Sequence, residues 1–170
     1  MDLLIVVDMQ NDFINGSLGT AEAKKILSRV QDEVEKFKGI VLYTRDTHDS
    51  TYLETQEGKN LPVPHCIRGS EGWQIAPAVY RENAEIIDKD SFGSLKLAQR
   101  VQELDAKEKL ESITIIGLCT DICVISNALI LKAALPEVEL RVISDCCAGV
   151  SPESHNNALK AMAACQVKII

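Results

Sequence analysis

MDLLIVVD, residues 1–8, sets an uninterrupted apolar run at 3–7 directly before an aspartate. A run this short, apolar on both alternating faces, is the pattern of a strand covered on both sides of a parallel sheet. It carries no basic leader and no small-residue cleavage site, so it reads as a first strand and not as a signal peptide. Further β-rich runs follow at 40–44, 85–88, 112–117, 139–144 and 167–170. Helical patterns separate them. Residues 22–36 place Ile26, Val30 and Val34 at four-residue spacing, one face of an amphipathic helix. Residues 95–107 form a second helix, 121–135 a strongly apolar third that stops before Pro136, and 152–164 a fourth that opens on proline. This alternation predicts a doubly wound α/β domain over residues 1–170, with a mostly parallel six-stranded sheet and helices on both faces. The polar stretch 45–73, rich in Pro and Gly, is long for a connection, and such stretches are usually functional.

The 170 residues suffice for one domain with a real core. A net charge of −7 argues against nucleic acid as partner. No apolar run approaches the roughly 20 residues of a membrane span, and a cytoplasmic protein is expected. The six cysteines are Cys66, Cys119, Cys123, Cys146, Cys147 and Cys165. With no sign of secretion they are expected as reduced thiols. The adjacent Cys146 and Cys147 follow the fifth strand and are poorly placed for a mutual disulfide.

In open parallel sheets ligands bind beyond the carboxyl ends of the strands. Reactive residues gather there: Asp8 after strand one, Asp46 and His48 after strand two, Lys89 after strand three, Cys119 and Cys123 after strand four. A strand order 3-2-1-4-5-6 would set Asp8 and Cys123 facing each other at the switch point. Thr120 is expected as the N-cap of the apolar helix, with Cys123 in its first turn, where the dipole and free N–H groups favour a thiolate. Those N–H groups suit an oxyanion. Asp8 suits the role of proton acceptor, and Lys89 that of the cation that keeps Asp8 ionised. Singly, each has a plainer explanation: a packing cysteine, a capping aspartate, a solvated lysine. Their joint placement at one sheet edge is what argues for a site.

The stretch Val6-Val7-Asp8-Met9-Gln10-Asn11-Asp12-Phe13 resembles the opening motif of the isochorismatase-like cysteine hydrolases. Ile116-Gly117-Leu118-Cys119-Thr120-Asp121-Ile122-Cys123-Val124 resembles their nucleophile segment, and Asp88-Lys89-Asp90-Ser91-Phe92 sits where they carry a lysine. The resemblance implies a triad of Asp8, Lys89 and Cys123. It also implies a cis peptide between Leu118 and Cys119, an oxyanion hole from the Cys119 and Cys123 amides, and substrate contacts from Phe13, Leu118 and Cys119. True isochorismatases lack the nucleophilic cysteine, so Cys123 points to hydrolysis of C–N bonds. A homo-oligomer is implied by analogy alone.

Asp46-Thr47-His48 followed by His65 is similar to the metal site of the nicotinamidase/pyrazinamidase branch. Carboxylate and imidazole ligands suit Zn, and also Fe or Mn. The second nearby histidine of many members is missing, and Glu54 and Glu57 fill the gap. Glu57 is preferred, counting back from Leu61-Pro62-Val63-Pro64-His65. The aromatic residue often found before the Pro-x-His segment is missing too, and Phe13 remains as an apolar wall. His155 is expected to be structural. The leading expectation is a nicotinamidase that forms a Cys123 thioester. A metal-free amidohydrolase for a carbamoyl, ureido or other small amide is the first alternative. A non-hydrolytic thiol redox or metal-binding protein is the second.

Overall fold

The central pair of the sheet is β1 (Asp2–Val7) and β4 (Ser112–Leu118), aligned in parallel from Asp2 opposite Ser112 to Val7 opposite Gly117. The computed structural model of the chain describes residues 1–170. β2 (Ile40–Asp46), β3 (Glu85–Lys89), β5 (Glu139–Ala148) and β6 (Lys168–Ile169) complete six strands in the order β3-β2-β1-β4-β5-β6. Every pairing is parallel, so the expected order holds and the sheet is wholly, not mostly, parallel. The order reverses between β1 and β4.

Strand alternation divides the core in two. Leu3, Ile5 and Val7 join one apolar cluster with Leu97, Val101 and Leu131 from α4 (Leu95–Lys107) and α5 (Ile125–Ala134). Leu4 and Val6 join the other with Ile26, Val30 and Val34 of α2 (Ala21–Lys36). α2 starts one residue earlier than its apolar period suggests, because the Thr20 side chain accepts from the Ala23 N–H and caps it. α6 (Pro152–Ala164) begins with proline as expected, behind a Ser151–Ser154 capping box. No helix is long and apolar enough to cross a membrane.

The strands run further than the sequence suggests, and this moves the site. β2 ends at Asp46 and β3 at Lys89, paired to each other, so both residues close strands instead of following them. β5 continues past an irregularity in its pairing, with Cys147 opposite Gly117 and Ala148 opposite Leu118. Cys146 and Cys147 therefore lie inside β5, one in each core cluster, not after it. Gly117 is required at its position. Its φ is +118°, and a Cβ there would stand 2.1 Å from the Val7 carbonyl oxygen.

The largest departure follows β4. Residues Thr120–Val124 form a π-helical turn, and the regular helix begins only at Ile125. Thr120 is not the N-cap. Cys119 occupies that position without a side-chain bond, and the Thr120 hydroxyl instead meets His155 Nδ1 at 2.7 Å. His155 is thus a buttress of the turn. Between β2 and β3 the long connection carries a 3-10 turn at Tyr52–Glu54 and the short helix α3 (Gln56–Asn60), and folds back over the strand ends. α1 (Asn11–Ile14) is a single turn after β1.

Candidate active site and metal centre

Asp8 is the first residue beyond β1, in a left-handed conformation with φ +48°. Its side chain is fully buried. Oδ1 accepts a 2.7 Å hydrogen bond from the Thr44 hydroxyl. Oδ2 lies 2.7 Å from Lys89 Nζ but has no hydrogen bond of good geometry. Lys89, from the end of β3, also has Asp46 Oδ1 at 3.2 Å, the Ser91 carbonyl oxygen at 3.1 Å and Cys123 Sγ at 3.5 Å. Three strand ends and the π turn therefore converge on one ammonium group. The three residues expected as a triad are in contact, across the strand-order reversal.

Burial works against the thiolate that the helix start was expected to favour. Burial pushes the Cys123 thiol well above its ordinary range, the Asp8 charge pushes it further, and Lys89 offsets only part. Burial likewise raises Asp8, against the opposing pull of Lys89. Burial alone would lower Lys89, but Asp8, Cys123 and Asp46 outweigh it and hold the ammonium charged. Burial and the Asp8 charge thus favour the protonated form of Cys123. The π turn has replaced the first α turn on whose dipole the thiolate expectation rested. The Leu118–Cys119 peptide is cis, as the resemblance implied. Leu118 itself is buried in the core beneath the site.

Next to this cluster Asp46, His48, Glu57 and His65 turn one donor atom each toward a common point, all within 4.8 Å of one another. Asp46 Oδ2 lies 2.9 Å from His48 Nε2 and 3.5 Å from His65 Nε2. Glu57 Oε1 lies 3.5 Å and 3.6 Å from the same two nitrogens. Donors held about 2.1 Å from a shared ion stand about 3.0–3.4 Å apart in tetrahedral or octahedral geometry, so the residues fit a divalent metal. The other nitrogen of His65, Nδ1, meets the Val63 carbonyl oxygen at 2.8 Å, the orienting bond a metal-binding imidazole needs. α3, capped by Thr55, brings in Glu57 and not Glu54. Burial would raise Asp46, but hydrogen bonds from His48 and His65 and the charge of Lys89 outweigh it and keep this carboxylate ionised.

Sequence reasoning missed the residues that hold these donors. Tyr52 is buried against the two imidazoles, 4.7 Å from His48 and 5.0 Å from His65 between ring centroids. Gln10 is wholly buried. Its Oε1 accepts from the Asp46 N–H at 2.7 Å, and its Nε2 donates to the Asp46 and Trp73 carbonyl oxygens at 2.8 Å and 2.9 Å. Asn11 N–H donates to Gln74 O, Asp12 N–H to Gly72 O, and Asp12 Oδ2 accepts from Cys66 N–H. The segment Gln10–Asp12 thus grips both ends of the metal-bearing loop. Gln10→Ala would strand buried backbone groups of Asp46 and Trp73. It is expected to cost about 2–3 kcal/mol of stability by urea titration and to weaken metal binding about 10–100-fold by competition with a chelator. An unchanged metal affinity would show that the grip on Asp46 is not needed.

One cavity of about 360 Å³ is lined by Cys119 and Cys123, by Asp46, Glu57 and His65 of the donor set, and by Phe13. Phe13 lies against His65, 5.6 Å between centroids.

A family model for the isochorismatase domain matches residues 2–170. The nicotinamidase/pyrazinamidase of Mycobacterium tuberculosis is 26% identical over 186 residues, covering 100% of this chain and 98% of that protein. The zinc complex of the Pyrococcus horikoshii pyrazinamidase is 28% identical and superposes with a TM-score of 0.85, covering 99% of this chain and 98% of that one. The N-carbamoylsarcosine amidase of Thermoplasma acidophilum, 21% identical with a TM-score of 0.79 over 99% and 94% of the two chains, shares the fold.

Proposed function

Because the chain belongs to the isochorismatase family, we propose that it is a cysteine amidohydrolase of the nicotinamidase type, converting nicotinamide and water to nicotinate and ammonia. One observation carries this reading: Cys123, joined through Lys89 Nζ to Asp8, lines the same cavity as Asp46, Glu57 and His65 of the four-donor set. The relatives named nicotinamidase or pyrazinamidase support it.

In the proposed course Asp8 Oδ2 takes the Cys123 proton as Sγ attacks the amide carbon. Transfer within the buried cluster moves the negative charge from Asp8 to sulfur while Lys89, close to both, keeps it balanced. The backbone N–H groups of Cys119 and Cys123 serve the oxyanion. The C–N bond breaks, the nitrogen takes the proton from Asp8, and ammonia leaves a thioester on Cys123. Water, losing a proton to Asp8, opens the thioester, and the proton returns to sulfur. Asp46, His48, Glu57 and His65 would hold a divalent ion, which supplies a Lewis acid for a lone pair on the substrate ring.

Metal-free hydrolysis of a carbamoyl or ureido amide is the second reading, favoured by Leu61 and Pro62 where an aromatic residue was looked for. A redox role would leave Asp8 and Lys89, both buried and mutually paired, without a task. Ammonia release decides between them. Purified protein is expected to release ammonia from nicotinamide, to lose most of this activity on prolonged chelation, and to regain it with Zn²⁺, Fe²⁺ or Mn²⁺. Release from a ureido compound alone, untouched by chelation, would establish the second reading.

A further inference from the structure

The cavity changes character from floor to rim. Cys123, Asp46 and His65 at its floor are nearly inaccessible, whereas Leu61, Phe92 and Val150 on its wall are 39%, 46% and 58% exposed. These three are among only eight large apolar side chains that stand exposed on the protein, and they converge on one opening from three separate connections. An isolated exposed apolar residue is ordinary, but a cluster around a pocket marks a surface that something covers. Continuity with the floor identifies the occupant as the outer part of the substrate. No Lys or Arg side chain lines the cavity, so a neutral apolar group suits this rim better than an acid.

Phe92 is the best-held member. Its carbonyl oxygen accepts from Asn127 Nδ2 at 3.1 Å, the same amide nitrogen that donates to the Cys123 carbonyl oxygen at 2.8 Å. Asn127 Oδ1 accepts from Ser94 N–H at 2.9 Å. Gly93 packs against Ile130, whose Cδ1 would have to move to admit a Cβ there. The backbone of the Phe92 turn is therefore tied to the turn that carries the nucleophile, and its ring is left at the opening.

We propose that Leu61, Phe92 and Val150 form an outer subsite, with Phe92 its specificity-determining residue, and that the enzyme prefers heteroaromatic carboxamides bearing an apolar substituent away from the amide. The proposal rests on the nicotinamidase-type reading. If amide and ring nitrogen both point to the floor, the 5-position of nicotinamide, meta to both, is the ring carbon directed at the rim. The experiment compares kcat/KM for nicotinamide with 5-methyl-, 5-ethyl- and 5-propylnicotinamide, in the parent enzyme and in Phe92→Ala and Phe92→Leu. The parent is expected to favour the propyl compound over nicotinamide about tenfold. Phe92→Ala is expected to lose most of that ratio and Phe92→Leu to keep part. Nicotinamide hydrolysed with no gain along the alkyl series, or a gain undiminished in Phe92→Ala, would overturn the outer subsite and leave the amidase reading intact. Hydrolysis of none of the four compounds would overturn both.

Discussion

Cys123→Ala is expected to release no ammonia from nicotinamide above the uncatalysed blank, a fall of at least about 10⁵ in kcat by analogy with the loss of other covalent nucleophiles. Asp8 and Lys89 remain in this variant, but with no sulfur there is no atom to carry the acyl group, and a bound water cannot take its place in the same geometry. The fold should survive, because Cys123 packs as a small side chain within the apolar cluster beneath it. Thermal unfolding of the variant should therefore stay close to the parent. A parallel measurement looks for the intermediate directly: acid quenching of parent enzyme at saturating nicotinamide should leave one nicotinoyl group on Cys123 by peptide mass mapping. Retained turnover in a folded Cys123→Ala protein would remove sulfur from the mechanism.

Lys89→Met is expected to damage stability and activity together. The Lys89 side chain is 1% exposed and pairs with two carboxylates, Asp8 at 2.7 Å and Asp46 at 3.2 Å. Without it two buried acids face each other with no cation between them. Removing one partner from a buried ionic cluster costs about 3–5 kcal/mol, to be read as a lowered urea midpoint. One of the acids would then take up a proton, and Asp8, already raised by burial, is the readier. A protonated Asp8 cannot accept from the thiol, so kcat should fall about 10³-fold or more. The double variant Asp8→Asn/Lys89→Met separates the two effects. It should recover part of the lost stability, since the charge left unpaired by the single change is gone, and none of the activity. A stable, active Lys89→Met would mean that the ammonium group is incidental.

Much of this site was legible because a parallel sheet delivers its chemistry at predictable places. Reactive residues gather at the carboxyl ends of parallel strands, and Asp8, Asp46, Lys89 and Cys123 stand out by lying at or just beyond the predicted strands. Legibility stopped where tertiary contacts decide. Gln10 and Asp12 lie within a motif that was noticed for Asp8 and Phe13, yet their work is to bond backbone groups of a loop 36 to 63 residues distant in the chain. The π turn escaped because apolar spacing reads a helix as regular from its first residue, and only the Val124 N–H bond to the Cys119 carbonyl oxygen, five residues back, reveals the different winding. Glu57 was the better choice over Glu54 for a local reason: Thr55 caps a short helix with Glu57 in its first turn. The length of β5 depends on its neighbour β4, which no pattern within residues 139–148 reveals.

The hold of Gln10–Asp12 on both ends of the loop divides the molecule into a socket and an insert. The socket is the sheet edge with Asp8, Lys89, Cys123 and the gripping segment. The insert is the stretch between Asp46 and Trp73, which brings His48, Glu57, His65 and Leu61. Most of the bonds across the joint are made to backbone groups of the insert, so they place few demands on its side chains. Such a joint lets the insert be exchanged for one of different sequence, with other ligands or none, while the thiol chemistry beneath it stays assembled. The metal donors His48, Glu57 and His65 in this architecture belong to a replaceable part, while Phe92 and Val150 stay with the socket.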